Sequence, residues 1–515
     1  MQRDGMCTSL WQYDMPPYES PNKIIPDTFF DIIIVGGGIT GVSAAHLFQK
    51  AGKKCLLLEA YSLGFGTTGG TTAHLNTIMD TPYNQIEKNF GEKNAQLVAQ
   101  VTREAIDHIK QNINEYKIQC GFEELPAYLF SQDEKQTKEL GDITEASIKA
   151  GLSIEYVNDI PVPIPFEKAI RIDRQAKFHP TKYLFALAKA FEQAGGIIVQ
   201  NCRVIKAEEN EVIDVETSLG KVQAKQLIYA THIPPGVNLL HLRCAPYRSY
   251  VLAIRLANDN YPDGLVYDLY DPYHYYRTQE VNGKKYLIAG GEDHKTAHEE
   301  NTDACFLRLE SYVRKFFNVE TIAFNWSSQY FEPADGLPYI GHLPGHPKNI
   351  YVATGYGGNG MTYSTVAALV LKDSLLHGTG KYTDLFNPNR IKPVAGFSNF
   401  VKENLDVAGE LIGKIFPAEK LKELAALAYG EGKVVKFEGH NIALYKDEQG
   451  KLHAVNPVCT HLKCNVNWNM SEKTWDCPCH GSRFNWEGKV VTGPATHDLE
   501  TIELRELINE TEEDK

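Results

Sequence analysis

A chain of 515 residues exceeds what one hydrophobic core organises, so at least two domains are expected. With 43% hydrophobic and 23% charged residues it has the composition of a globular protein, and no run of about eighteen apolar residues offers a membrane span. A net charge of −13 argues against nucleic-acid binding, which needs a basic footprint, and leaves small molecules and neutral or basic protein partners.

Met1–Phe30, with Asp4, Asp14 and Glu19 among several prolines, lacks the basic-then-apolar order of a secretory signal. It reads as an N-terminal extension, and a cytoplasmic location is expected. Residues 31–59 run strand (Asp31–Val35), glycine turn (Gly36-Gly-Gly38-Ile-Thr-Gly41), helix to about Ala51, and strand (Lys54–Glu59). Gly36, Gly38 and Gly41 follow an apolar strand and open a helix, and Glu59 ends the next strand. This is the full context of a dinucleotide fingerprint: backbone without side chains approaches a pyrophosphate at a helix N-terminus, and a carboxylate binds ribose hydroxyls.

The glycine/threonine run Gly64–Ala73, with Thr67, Thr68, Thr72 and Ala73, is suited to lie along a flavin. Residues 85–117 predict one long amphipathic helix, and mixed strands and helices continue to about Leu376, giving a first unit over 31–380. Residues 381–429 read as a linker with two amphipathic stretches, Phe400–Phe416 and Ala418–Ala428. Their polar faces are poor in Lys and Arg, which suits docking between domains rather than a membrane surface. From Gly430 short alternating strands (Lys433–Phe437, Asn441–Tyr445, Leu452–Val455) predict a small all-β unit over 430–508, followed by an acidic tail at 509–515.

Six cysteines are scattered as in reduced intracellular proteins, but Cys459, Cys464, Cys477 and Cys479 crowd together with His461 and His480. Cys459-Thr-His461 and Cys477-Pro-Cys479-His480 each deliver one thiolate and one imidazole. Two of each can hold a [2Fe–2S] cluster, the cysteines on one iron and the histidines on the other. Zinc uses the same ligand types, but zinc boxes usually pair Cys with Cys and His with His.

These residues resemble the Rieske family. By that resemblance Cys459, His461, Cys477 and His480 are the cluster ligands, Cys464 and Cys479 form a disulfide, and Gly493-Pro-Ala495 is the loop that covers the cluster. Ser482 matches a serine that donates to a cluster sulfide, and Phe484 stands where the highest-potential members carry tyrosine. The resemblance therefore implies a potential in the upper middle of the roughly −150 to +300 mV Rieske span.

Asp335-Gly-Leu-Pro-Tyr-Ile-Gly341, Ala353-Thr-Gly355-Tyr-Gly-Gly358-Asn359-Gly360-Met361-Thr362 and His179-Pro-Thr-Lys-Tyr-Leu184, with the strand through Val204, complete a second pattern. Together with the fingerprint they resemble the D-amino-acid oxidase/glycine oxidase superfamily over about residues 30–376. The resemblance implies an α/β fold, a Rossmann-like FAD-binding domain with a mixed-sheet substrate domain. The cofactor-binding residues it implies are Gly36, Gly38, Gly41, Glu59, Thr67, Thr68, Thr72, Ala73, Val204, Gly355, Gly358, Asn359, Gly360, Met361 and Thr362. The late glycine segment would open a helix whose N-terminus faces the flavin. No second strand–GxGxxG–helix unit follows, so no nicotinamide site is expected. Non-covalent FAD is favoured over attachment at His74.

On the substrate side the resemblance offers Arg277 as a carboxylate clamp. Where some members carry a second arginine, this chain has Gln329-Tyr-Phe-Glu, so an amine without a carboxylate is as well supported as an amino acid. Tyr250, His274 and Tyr276 are further pocket candidates. Glu292-Asp293-His294-x-x-x-His298 has the spacing of a mononuclear iron site, but the flavin pattern already accounts for this region. The expectation is an FAD-dependent dehydrogenase of a C–N bond that passes electrons through the Rieske cluster to a protein or quinone acceptor. Two alternatives stay open: an oxidase using O₂ with a structural or regulatory Rieske domain, and an electron-transfer module without a substrate of its own.

Overall fold

The computed structural model describes residues 3–13, 15–346, 348–390, 427–437 and 440–503; Phe400–Phe416, most of Ala418–Ala428 and the tail 509–515 lie outside them. Among the described residues, four sheets organise the chain. The first is built on Phe30–Val35, whose Ile32, Ile33 and Ile34 are fully buried. Apolar β-branched residues without alternation suit a strand covered on both faces, and this strand pairs in parallel with Gly220–Tyr229 on one side and Cys55–Leu58 on the other. Ile350–Thr354 and Ile197–Val199 extend the sheet in parallel.

The helix Ile39–Lys50 packs between this sheet and the helix Gly360–His377. Its entry turn requires glycine. Gly36 has φ +112°, and a Cβ there would lie 2.4 Å from the Ala230 carbonyl oxygen; one on Gly41 would lie 1.9 Å from that of Gly36.

The helix predicted over 85–117 is two helices, Tyr83–Phe90 and Glu92–Tyr116. Gly91 between them has φ +87°, which no helical residue adopts.

The second sheet runs Val319–Pro333, Cys244–Leu256, Lys284–Lys295, Tyr275–Val281, Leu265–Asp268, Glu123–Ser131, Lys168–Lys177 and His74–Leu75, with Ile154–Val157 paired to its side. One face of its central strands packs on the helix Thr302–Phe316, and the other faces the first sheet. The C-terminal unit has a three-stranded sheet, Gly432–Phe437, His440–Lys446 and Leu452–Val455, and a four-stranded one, Asn467–Asn469, Thr474–Asp476, Arg483–Asn485 and Val490–Thr492. The predicted strands there differ from these by at most one residue at each end.

The N-terminal residues are part of the core rather than an appendage. Trp11 is fully buried, and its indole N–H donates to the Thr71 carbonyl. Arg3 and Asp4 join a buried ionic network that ties the second sheet to the C-terminal unit. Arg3 pairs with Asp4 (2.9 Å) and Glu472 (2.5 Å), Arg483 with Asp4 (2.8 Å) and Asp476 (3.2 Å), and Arg248 with Asp476 (3.4 Å). Three cations meet three anions, so the buried cluster is neutral. No helix among the described residues is long and apolar enough to cross a membrane.

Candidate active site and metal centre

A long cleft separates the two large sheets. Its walls carry Gly36, Gly38, Glu59, Thr67, Thr68, Thr72, Val204, Gly358, Gly360 and Met361 of the expected cofactor residues. Both carboxylate oxygens of Glu59 accept backbone N–H groups, from Gly37 (2.6 Å) and Tyr61 (2.8 Å). Burial raises its pKa, and those amides pull it back. Thr68 Oγ1 accepts from the Ile39 N–H at the start of the first helix. Thr67 Oγ1 donates to the Gln329 carbonyl.

Gly41, Ala73, Gly355, Asn359 and Thr362 sit behind the wall instead. Gly355 backs onto the Cys244 sulfur, and the Thr362 hydroxyl bonds to the Asn76 backbone. The Asn359 side chain accepts from the Asp80 N–H, while Asp80 accepts from the Gly358 N–H at 2.6 Å. The helix Gly360–His377 begins here with no side-chain cap, leaving its first N–H groups toward the cleft. Residues outside the expected set also line it, among them Tyr61, Arg203, His232, Ser249, Tyr275, Ser328 and Tyr330.

The substrate candidates lie elsewhere. Side chains alternate along a strand, so Ser249 and Val251 face the cleft and Tyr250 faces away, fully buried against Phe306 with its hydroxyl on His294 Nε2 (2.8 Å). By the same alternation Tyr275 lines the cleft and Tyr276 packs on Phe317 behind the sheet. His274 bonds through Nδ1 to Asp268 (2.9 Å) and stacks on Tyr312. Arg277 is fully buried, and its guanidinium donates to the carbonyls of Thr72, Ala73 and Phe178 and to Gln279, under the Trp11 ring. Burial lowers its pKa to about 9, so it stays charged at neutral pH. None of these four lines the cleft.

His74 bonds through Nδ1 to the Tyr267 hydroxyl and packs against Tyr275. The 292–298 segment does not converge: Glu292 pairs with Arg308, and His294 has both nitrogens bonded, to Tyr250 and to the Lys295 carbonyl.

In the C-terminal unit two loops bring Cys459, His461, Cys477 and His480 together. The imidazoles of His461 and His480 are 5.0 Å apart, and the Cys459 and Cys477 thiols are hydrogen-bonded. The Sγ atoms of Cys464, Cys477 and Cys479 lie within 4.8 Å of one another, and a Cys464–Cys479 disulfide removes two of them from ligation. Burial holds both histidines neutral, at about 4. The Cys459 thiol is lowered to about 7, first by the Cys477 hydrogen bond and then by the His461 N–H. Ser482 Oγ accepts from the Ala495 N–H in the covering loop.

Residues 31–374 match the family model described as FAD dependent oxidoreductase, and residues 417–503 match that of the Rieske [2Fe-2S] domain. The chain belongs to the FAD-dependent oxidoreductase family and carries a C-terminal Rieske domain. It is 35% identical, over 95% of its length and 96% of the relative's, to a protein of Bacillus subtilis named as a Rieske 2Fe-2S iron-sulfur protein, YhfW. It is 25% identical to gamma-glutamylputrescine oxidoreductase of Escherichia coli over 72% of this chain and 88% of that one. The crystal structure of glycine oxidase from Geobacillus kaustophilus superposes with a TM-score of 0.58 at 17% identity, covering 70% of this chain and 99% of that one.

The family's two cofactors are FAD and a [2Fe–2S] cluster, and both sites fit them. Along the cleft the backbone is bare: a Cβ on Gly66 or Gly360 would meet nothing within 4 Å, leaving space for a ligand. At the cluster site, both ring nitrogens of His480 and Nδ1 of His461 are buried without a partner, as donor atoms awaiting iron would be. His461 Nε2 donates to the Gly236 carbonyl (3.1 Å), which fixes the tautomer that leaves Nδ1 free.

The two sites adjoin. Val491, Thr492, Gly493, Ala495 and Thr496 of the Rieske domain form part of the wall of the FAD cleft. Gln329 takes the Thr67 hydroxyl on its carbonyl and donates through Nε2 to the Gly481 carbonyl (2.9 Å), next to His480. His241, from the flavin side, has its ring 4.6 Å from that of His461.

Proposed function

We propose that this chain oxidises a C–N bond of an amine or amino acid and passes the electrons inward to its own Rieske domain and on to an external acceptor. The observation that carries this reading is Gln329, one residue in hydrogen-bond contact with both the FAD cleft and the cluster loop. When bound, FAD accepts two electrons with a hydride and the [2Fe–2S] cluster carries one at a time.

The chain's own residues supply placement. Glu59 and the glycine turn hold the dinucleotide, and Tyr275, Ser249 and Tyr330 wall the substrate end of the cleft. Hydride loss from an amine carbon needs chiefly orientation and exclusion of water, which a cleft closed between two sheets provides. Docking of the Rieske loops on the cleft makes the second step internal to one chain. A cytoplasmic setting belongs to the same proposal, supported by the free cysteines outside the cluster loops.

Cys459→Ser or His480→Ala tests the route. Each is expected to abolish the Rieske absorption and EPR signal while FAD stays bound and is still bleached anaerobically by substrate. Turnover with a one-electron acceptor should collapse. Unchanged turnover in the cluster-free variants would take the cluster off the path.

A further inference from the structure

Two carboxylates stand just behind the wall of the cleft: Asp80 accepts from the Gly358 N–H, and Asp293, near the end of the strand Lys284–Lys295, accepts from the Tyr330 hydroxyl. Neither takes part in an ion pair among the described residues, whereas the arginines on the neighbouring strands are engaged: Arg277 with backbone carbonyls, Arg248 with Asp476.

Asp293 Oδ2 accepts from the Tyr330 hydroxyl (2.9 Å), and its Oδ1 is enclosed without a well-formed hydrogen bond, with only the Ser249 hydroxyl near the carboxyl group. A buried carboxylate oxygen without a donor is costly unless something supplies one. Around it stand Tyr273, Tyr275 and Tyr330, of which Tyr275 and Tyr330 line the cleft, and the Ser328 hydroxyl there is likewise buried and unpartnered.

We propose that Asp293, within this tyrosine cage, is the anchor for the ammonium group of the substrate, and that the substrate is an amine lacking an adjacent carboxylate. Two carboxylates outside any ion pair attract a cation and repel a second anion, and tyrosine rings add cation–π attraction. A zwitterionic amino acid would need a cation for its carboxylate, and Arg277 is turned away beneath the sheet. The inference rests on the reading of the cleft as the C–N oxidation site.

The electrostatics agree. Burial raises the Asp293 pKa to about 7, against the opposing influence of the Ser249 and Tyr330 hydroxyls, and the Asp80 charge raises it further while His274 lowers it. Burial raises Asp80 to about 6, against the hydrogen bonds from the Gly358 N–H and the Asn359 side chain. Tyr273 lies within the fields of Asp80, Asp293 and Glu332. A bound ammonium relieves this repulsion, so its affinity should rise as the pH rises through about 7 and Asp293 ionises.

The test titrates the holoenzyme with n-butylammonium chloride and, at matched ionic strength, with sodium butyrate, reading both the flavin spectrum and binding heat. The ammonium is expected to bind saturably and butyrate not. Asp293→Asn should weaken the ammonium about tenfold or more and abolish the rise in affinity near neutral pH. Should Asp293→Asn fail to hold FAD, Tyr330→Phe serves instead. Loss of that hydroxyl should move the pH midpoint of ammonium binding upward. Butyrate binding as tightly as butylammonium, Asp293→Asn binding the ammonium unchanged, or an unmoved midpoint in Tyr330→Phe would overturn the proposal. Amines that reduce the flavin regardless of Asp293 would sink this inference and leave C–N oxidation standing; ammonium binding without any flavin reduction would do the reverse.

Discussion

Arg277 shows how far a side chain's chemistry depends on where its strand delivers it. A guanidinium suited to clamp a carboxylate instead closes three backbone carbonyls from segments about a hundred residues or more away along the chain. Arg277→Met should therefore act on stability, leaving buried acceptors unmet at about 3 kcal/mol, visible as a lowered urea midpoint. Discrimination between butylammonium and butyrate should not change. The cysteines divide as cleanly. Cys464 and Cys479 are joined, and Cys7, Cys55, Cys120, Cys202, Cys244, Cys305, Cys459 and Cys477 are free. Thiol titration of the denatured, unreduced protein should count those eight, and ten would exclude the disulfide. The disulfide pairing was implied by the resemblance of the two Cys–His boxes to the Rieske family. The surroundings of Asp293 could not be read locally, because they are assembled from three strands.

Between elements, the informative contacts are turns and loops. Gly91 splits a helical pattern whose apolar periodicity runs through it, because periodicity reports the buried face and not the backbone sign of one residue. Gly481 stands at the domain junction, in the loop that carries His480. It has φ +75°, and a Cβ there would lie 2.7 Å from Pro246 and 2.9 Å from the Gln329 amide. Gly481→Ala should strain the cluster loop and push it off the cleft wall. The expected outcome is a retained but shifted Rieske EPR signal, with flavin-to-cluster electron transfer slowed in rapid-mixing spectra and flavin reduction by substrate intact. The strand Cys244–Leu256 marks the limit of pattern reading. The sequence reading took Tyr250 as a pocket candidate, but a one-residue shift in parity exchanges the cleft face, where Ser249 lies, for the helix face.

Across the whole molecule, the two domains are fastened by the buried network of Arg3, Asp4, Arg248, Glu472, Asp476 and Arg483. Burial alone would raise the pKa of Glu472 and Asp476, yet the arginines hold both below the ordinary carboxylate range. A depressed carboxylate stabilises the fold above its unfolded pKa, near 4, and that contribution is lost as pH falls through the folded value. Docking should therefore be intact at neutral pH and fail in acid. Arg483→Met leaves two buried anions short of a partner and should cost about 3–5 kcal/mol. Calorimetry should then resolve a separate, earlier transition for the Rieske domain; a single unchanged transition would show that the network does not fasten it.

The glycine turn with Glu59, the late glycine segment and the two Cys–His boxes were legible from the sequence alone, because each is a short stretch whose spacing already imposes the geometry its cofactor needs. The small β unit was legible for the same reason: alternation and turns are local. The tertiary structure alone decided how these parts meet. Arg3 reaches Glu472, Asp4 reaches Arg483, and Gln329 spans from Thr67 to Gly481, pairings between residues far apart in the chain that no local pattern encodes. It also decided which face of each strand looks into the cleft, putting Ser249 and Tyr275 on its wall and Tyr250, Tyr276 and Arg277 behind it. Residue type and spacing fix what chemistry a segment can offer; only packing fixes what it faces, because burial and partners come from the rest of the chain.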